Sequence, residues 1–175
     1  MMIMSNHVNI QVDEVTVPYY AVHKDGIIAG FFGIFRWLSN FYPLENGVCL
    51  DEIYYPSVEN VFQACKWPHD QREQFTTCSP GQAKRLGKLA PNFDQKKWTK
   101  KKYELMFELN WQKYHNNPIL RSKLILTEGF HLEERNNWSD RFWGTDVNGI
   151  GENNLGIILM TIRDIIIGNQ NKNLF

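Results

Sequence analysis

The stretch Tyr55-Pro-Ser-Val-Glu-Asn-Val-Phe-Gln-Ala-Cys-Lys66 constrains the fold more than any other part of the chain. A helix starting at Ser57 sets Glu59, Gln63 and Lys66 at i, i+4 and i+7. At about 100° per residue these three form one narrow stripe. An acid, an amide and an amine therefore share a helix face, with Phe62 beside them. Val58, Val61, Phe62 and Cys65 give the same short helix enough apolar surface to be largely buried. A buried helix with a polar stripe faces a site, because buried polar groups without partners cost free energy.

The chain has 175 residues, which predicts one domain with a core large enough to need neither disulfides nor metal. The formal charge is +0 at pH 7, so no global field draws it to nucleic acid or a membrane surface. The cysteines, Cys49, Cys65 and Cys78, are odd in number and lack Cys-x-x-Cys spacing, as expected of reduced thiols in a cytoplasmic protein. The histidines do not fall at zinc-ligand spacings, so no metal and no cofactor is expected. No apolar run is long enough to span a bilayer, and the N-terminus does not read as a signal peptide.

Weak alternation through Val8, Ile10 and Val12 predicts an edge strand within residues 5–17. Gly26 to Phe35 reads as extended, and Val48 to Tyr55 as a small hairpin around Asp51-Glu52, ended by Pro56. Ser79-Pro-Gly-Gln82 has the chemistry of a helix start, with Gly87 as its stop. A longer helix is expected from about Trp98 to Tyr114, with Leu105, Met106 and Leu109 inward, broken at Asn116-Asn-Pro118. A short helix follows, ending before Gly129. Residues 130–153 read as irregular. A last helix carries Leu155, Ile158, Leu159, Ile162 and Ile166 and closes at Gly168. The expected architecture is a compact, mainly helical α+β single domain with a few short strands. Its expected limits are an extension over 1–29, the domain over 30–168 and a tail over 169–175.

Beyond the helix stripe, three constellations stand out. Asp140-Arg-Phe-Trp-Gly144 offers a carboxylate, an aromatic plate and a glycine, though a turn anchored by its tryptophan explains it as well. Gly149 to Gly156 is a glycine-rich loop opening a helix, but it lacks the Walker and dinucleotide spacings, which favours a structural turn. Lys96, Lys97, Lys100, Lys101 and Lys102 flank Trp98; such a run is most often a solvated face, with phosphate attraction as the alternative.

Together with Leu38-Ser-Asn-Phe-Tyr-Pro43, Ala83-Lys-Arg-Leu-Gly87, Lys113-Tyr114, Thr127 and Arg163, these motifs resemble the NADAR family in order, over roughly residues 30–166. The resemblance implies an enzyme that cleaves a ribosyl–nitrogen bond. Some members act on phosphorylated pyrimidine intermediates of riboflavin synthesis, others remove ADP-ribose from modified guanine. The family commonly has His after the motif glutamate, where this chain has Asn60.

On this resemblance the expected partner is a small phosphorylated ribosyl substrate or an ADP-ribosylated nucleotide, with nucleic acid only as a modified substrate. Glu59, Lys66 and Asp140 are the expected catalytic set: Glu59 for acid/base work, Asp140 for electrostatic support, Lys66 as a cation or as an amine forming a Schiff base. Phe41 and Trp143 are expected to stack on the base. Ser39, Asn40, Gln63 and Asn153 are expected to hydrogen-bond ribose or base, and Lys84 or Arg85 to meet a phosphate. Trp98 and Gly144 complete the expected binding set. A non-catalytic sensor module binding ADP-ribose or NAD is the alternative from another class. An Asn-, Lys- and Ile-rich composition points to an AT-rich source, a virus among the candidates, which makes the host cytoplasm the matching compartment.

Overall fold

The computed structural model describes residues 10–12, 15–17 and 26–172. In chain order the elements are β1 (Ile10–Val12), β2 (Val15–Val17), β3 (Ile27–Ala29), β4 (Val48–Leu50), β5 (Ile53–Tyr55), α1 (Val58–Ala64), α2 (Pro80–Gly87), α3 (Gln95–His115), α4 (Pro118–Ile125), β6 (His131–Glu133) and α5 (Asn154–Lys172). Gly33–Leu38 and His69–Phe75 are 3-10 helices. The chain divides into two compact units. One comprises the residues up to Ser39 with Gly129–Ile157, the other Asn40–Glu128 with the chain from Ile158 onward.

In the first unit β1 pairs antiparallel with β2, and β3 pairs parallel with β6, Ile27 opposite His131 and Ala29 opposite Glu133. The edge strand expected within residues 5–17 is thus present as two short arms, and the rest of that stretch lies outside the described residues. Of the extended run expected from Gly26 to Phe35, only Ile27–Ala29 is strand, because the chain coils into the 3-10 helix from Gly33. Strand β6 falls where only irregular chain is expected; three residues are too few for a periodic signal.

The second unit is built around α1. Every residue of α1 is buried, although seven residues are far too few for an independently stable helix. Its stability is therefore tertiary: Val58, Val61 and Ala64 are 0% exposed, as are Phe75, Ala83, Leu109 and Leu124 of the surrounding elements. Each such aliphatic or aromatic side chain contributes about 1.5–3 kcal/mol on burial, alanine less. Helices α2 and α3 and the β4–β5 hairpin pack against α1. The hairpin turns at Asp51 and Glu52, both with positive φ (51° and 64°), as a two-residue type I′ turn requires. Arg163 of α5 is buried and donates from Nη1 to the Thr127 carbonyl at 2.7 Å, fastening α5 to the end of the α4 segment.

The helix starts follow their side-chain signals. Ser79 and Gln82 form a reciprocal capping box, and Asp94 accepts from the Lys96 and Lys97 amides, so α3 begins three residues before Trp98. Along α3, Met106 and Leu109 are buried as expected, but Leu105 is only part-buried. One stop differs from expectation, and another falls where expected but for a different reason. Gly168 does not end α5, which continues to Lys172. Gly87 is the last residue of α2 but has no positive φ, and the cap, Lys88, is right-handed. The reason for a glycine at position 87 is packing against α1.

Candidate functional site

Ser57 caps α1, its hydroxyl accepting from the Asn60 amide, and the Asn40 carbonyl accepts from the Glu59 amide at 3.0 Å. These two contacts settle orphan N–H groups of the first turn and fix where Glu59 points. Glu59 is 7% exposed and Gln63 5%. Gln63 Nε2 donates to Glu59 Oε1 at 2.9 Å, so the i, i+4 pair of the stripe is a direct hydrogen bond. Gln63 Oε1 is buried and has no hydrogen-bond partner among the described residues. A Cβ at position 87 would collide with that oxygen, which is why α2 presents a glycine there. Gly87 thus makes room for the amide that orients the acid.

Lys66 lies two residues past the end of α1, in the closing turn where its amide donates to the Gln63 carbonyl. Its Nζ is 5.7 Å from the ring centroid of Phe62, 5.9 Å from Phe93 and 5.3 Å from Trp98. Burial lowers the pKa of this amine. Glu59 opposes the shift, and Lys84, Lys102 and Lys88 add to it, leaving the net shift downward. The basic run in the first turns of α3 is accordingly not uniform. Lys96, Lys97 and Lys100 are exposed, whereas Lys101 lies over the Trp98 ring at 5.5 Å and Lys102 acts on Lys66.

Several of the expected binding residues make defined contacts within the protein. Trp98 is 6% exposed, with Phe62 at 4.9 Å and Phe93 at 5.8 Å between ring centroids and two lysines over it. It is a wall of the lysine site and has no open face for a base. Asn40 donates to Met106 Sδ at 3.2 Å and accepts from Asn110 Nδ2 at 3.1 Å, so both ends of its amide are engaged inside the core. Phe41 is half-buried with Lys84 Nζ 5.7 Å from its ring centroid, while Arg85 is exposed. Asn60 is fully buried: its Nδ2 donates to the carbonyls of Phe75 and Cys78, both at 2.8 Å, and its Oδ1 accepts from Ser57. That position ties α1 to the chain after the 3-10 helix.

Ser39, Asp140, Trp143, Gly144 and Asn153 belong to the first unit. Asp140 Oδ1 accepts from the Trp143 amide at 2.9 Å, and Asn136 brackets Asp140 by bonding both its amide and its carbonyl. Trp143 is half-buried, edge-on to Phe142 at 4.8 Å. Gly144 runs so close to the Glu134 carbonyl that no Cβ fits. Asn153 has positive φ (52°), donates to the Leu132 carbonyl at 2.8 Å and accepts from the Glu134 amide at 3.0 Å, extending β6 by its side chain. Ser39 closes the 3-10 helix, its amide on the Arg36 carbonyl. The amides of Asn153, Asn154 and Leu155 are taken by the carbonyls of Gly144, Phe142 and Trp143. The glycine-rich opening of α5 therefore spends those N–H groups on its own unit, as the structural reading of that loop requires.

Two residues with notable contacts carry no signal in the sequence. Phe93 is a lone phenylalanine in a Pro-Asn loop with no pattern to mark it. Glu133, in the first unit, accepts from Arg135 and Thr145; burial pushes its carboxyl pKa up, but those two contacts outweigh it and the net shift is downward.

Residues 31–167 match the NADAR domain, and the chain belongs to that family. The N-glycosidase Npun_R5314 of Nostoc punctiforme is 29% identical over 133 residues, covering 73% of this chain and 83% of that protein. The N-glycosidase YbiA of Escherichia coli is 31% identical over 130 residues, covering 72% and 78%. The chloroplastic riboflavin biosynthesis protein PYRR of Zea mays is 30% identical over 173 residues; the match spans 90% of this chain but only 27% of that longer protein. The NMR structure of E. coli YbiA superposes with a TM-score of 0.71 at 28% sequence identity, over 85% of this chain and 89% of that one. The mainly helical α+β fold expected from the residues is the fold found. No helix among the described residues is long and apolar enough to cross a membrane.

Proposed function

We propose that this chain is an N-glycosyl hydrolase that cleaves the ribosyl–nitrogen bond of a small phosphorylated ribosylamino-pyrimidine. One observation carries the reading: a buried acid, oriented by Gln63, acts electrostatically on a desolvated amine that Lys84, Lys88 and Lys102 also act on. Such a knot of cations around one carboxylate favours an anionic substrate. The N-glycosidase and riboflavin-biosynthesis names of its relatives agree with that class.

As the C1′–N bond breaks, its electron pair leaves with the base nitrogen, C1′ becomes oxocarbenium-like, and the nitrogen takes up a proton from solvent; Glu59 later returns one to solvent. Glu59 stabilises that charge and accepts the proton of the water that adds to C1′. Lys84, with Lys88 and Lys102, meets the phosphate, and Phe41 offers a half-buried ring to the base. Asp140 is proposed for electrostatic support and Trp143 for stacking on the base, on the family resemblance. Lys66 presents its amine to the sugar. Its downward shift favours a nucleophile, and borohydride trapping of a ribosyl adduct on Lys66 separates that role from a purely cationic one.

The test is incubation with the phosphoribosylaminopyrimidine and, separately, ADP-ribosylated guanosine, with release of base and sugar followed by mass spectrometry. Release from the pyrimidine alone is expected. Release from guanosine alone would move the substrate to the ADP-ribosyl class, and release from neither would overturn the hydrolase reading.

A further inference from the structure

We propose that Phe93 is a positioning residue that closes an aromatic cage with Phe62 and Trp98 and thereby holds the Lys66 amine in place. The inference rests on the reading of Lys66 as part of the site. Its basis is geometric. Three ring centroids lie 5.3–5.9 Å from one Nζ, and the rings come from three different places: α1, the loop before α3, and α3 itself. Phe62 and Trp98 are core residues that the fold needs for packing. Phe93 is 36% exposed; its ring lies tilted to Trp98 and has the Lys66 amine over it.

The cage acts on Lys66 in two opposing ways. Ring faces attract the ammonium, whereas the cover they provide excludes water and favours the neutral amine. Burial is the larger of these influences here, because the net shift is downward even with Glu59 close by. The other charges that bear on the amine are Lys84 of α2, Lys88 just past it, and Lys102 of α3; Lys101 of α3 shares the Trp98 ring. All of these sit on elements that Phe93 substitutions leave intact. The cage also limits where the amine can go. A lysine stem has four rotatable bonds, and three rings around its tip select the few rotamers that keep Nζ on the stripe shared with Glu59 and Gln63.

Two substitutions separate the two influences. Phe93→Leu keeps an apolar cover but removes the ring face, and is expected to favour the neutral amine by about two- to fivefold, the equivalent of one exposed cation–π contact. Phe93→Ala opens the cage to water and is expected to shift Lys66 the other way. Phe93→Tyr keeps both ring and cover and is expected to restore the wild-type value. The readout is the pH titration of the Lys66 side-chain resonance in the full chain labelled with 13C,15N-lysine, assigned by its loss in Lys66→Met. Thermal unfolding checks that each variant is folded.

Opposite shifts in the Leu and Ala variants, with recovery in Tyr, support the cage. Unchanged titration in both, or shifts of the same sign, would overturn it. The titration needs no substrate. A caged Lys66 in a protein that turns nothing over would sink the hydrolase reading alone, and an active protein whose Lys66 ignores Phe93 would sink the cage alone.

Discussion

Lys113 gives the sharpest quantitative expectation. It lies on α3, is 0% exposed, and has its Nζ 5.2 Å from the ring centroid of Tyr114. Burial pushes its pKa down from an ordinary 10.5 to about 7. Between those two values the unfolded chain holds a proton that the folded one does not. Unfolding then takes up a proton, and stability rises with pH across that window. Below pH 7 both states are protonated and the full penalty of a buried ammonium is present. At about 1.4 kcal/mol per pH unit, the cost at pH 7 is roughly 4 kcal/mol, and about 1 kcal/mol of it disappears between pH 7.5 and 8.5. The buried Cys65, with its pKa raised to about 11, and Tyr55, raised to about 12, work in the opposite direction at higher pH, because their unfolded forms lose protons first. The window to use is therefore below about pH 8.5, the ordinary thiol value. Lys113→Met replaces the ammonium by an unbranched apolar chain of similar length. It is expected to stabilise the protein at pH 7 by ~1–3 kcal/mol, less than the whole penalty because the contacts of the amine are lost. For a chain of this size that is a rise of about 2–10 °C in melting temperature. Urea unfolding at pH 7.5 and 8.5 checks the linkage: the wild type gains stability over that step and the variant does not. Equal pH dependence in the two proteins would refute it, whatever happens to the absolute stability.

Two further outcomes follow from contacts around α1. Gly87→Ala puts a methyl group where Gln63 Oε1 sits, so Gln63 must swing off Glu59; turnover is expected to fall ~10–100-fold with a modest loss of stability, read by kcat against thermal unfolding. Asn60→Ala removes two hydrogen bonds to the carbonyls of Phe75 and Cys78; it is expected to lower unfolding free energy by ~2–3 kcal/mol in urea denaturation.

The parts of the fold that were legible in the sequence are those with local signals. The polar stripe of α1, the capping box at Ser79 and the hairpin before Pro56 each carry their chemistry within a few residues. Within the stripe Glu59 and Gln63 are hydrogen-bonded, and Lys66 follows two residues after α1 ends. What could not be read depends on partners far along the chain. Gly87 looks like a helix stop by composition, but its reason is Gln63, 24 positions away. Asn153 looks like a ligand-binding amide in a glycine-rich loop, but it completes strand β6. The lysine run around Trp98 is visible in the sequence, but the packing of Phe62 and Phe93 on that ring is not. Phe93 itself has no periodic or motif context at all, so only the packed structure reveals its contact with the amine.

The central claim is that Glu59, held by Gln63, does the acid/base work of ribosyl–nitrogen cleavage. Its most direct test is the rate of base release from the phosphoribosylaminopyrimidine by wild type and by Glu59→Gln, an isosteric change that keeps the contact with Gln63 available while removing the charge. The account predicts a fall of at least ~100-fold with an unchanged melting temperature. Wild-type rates in the folded variant would contradict it.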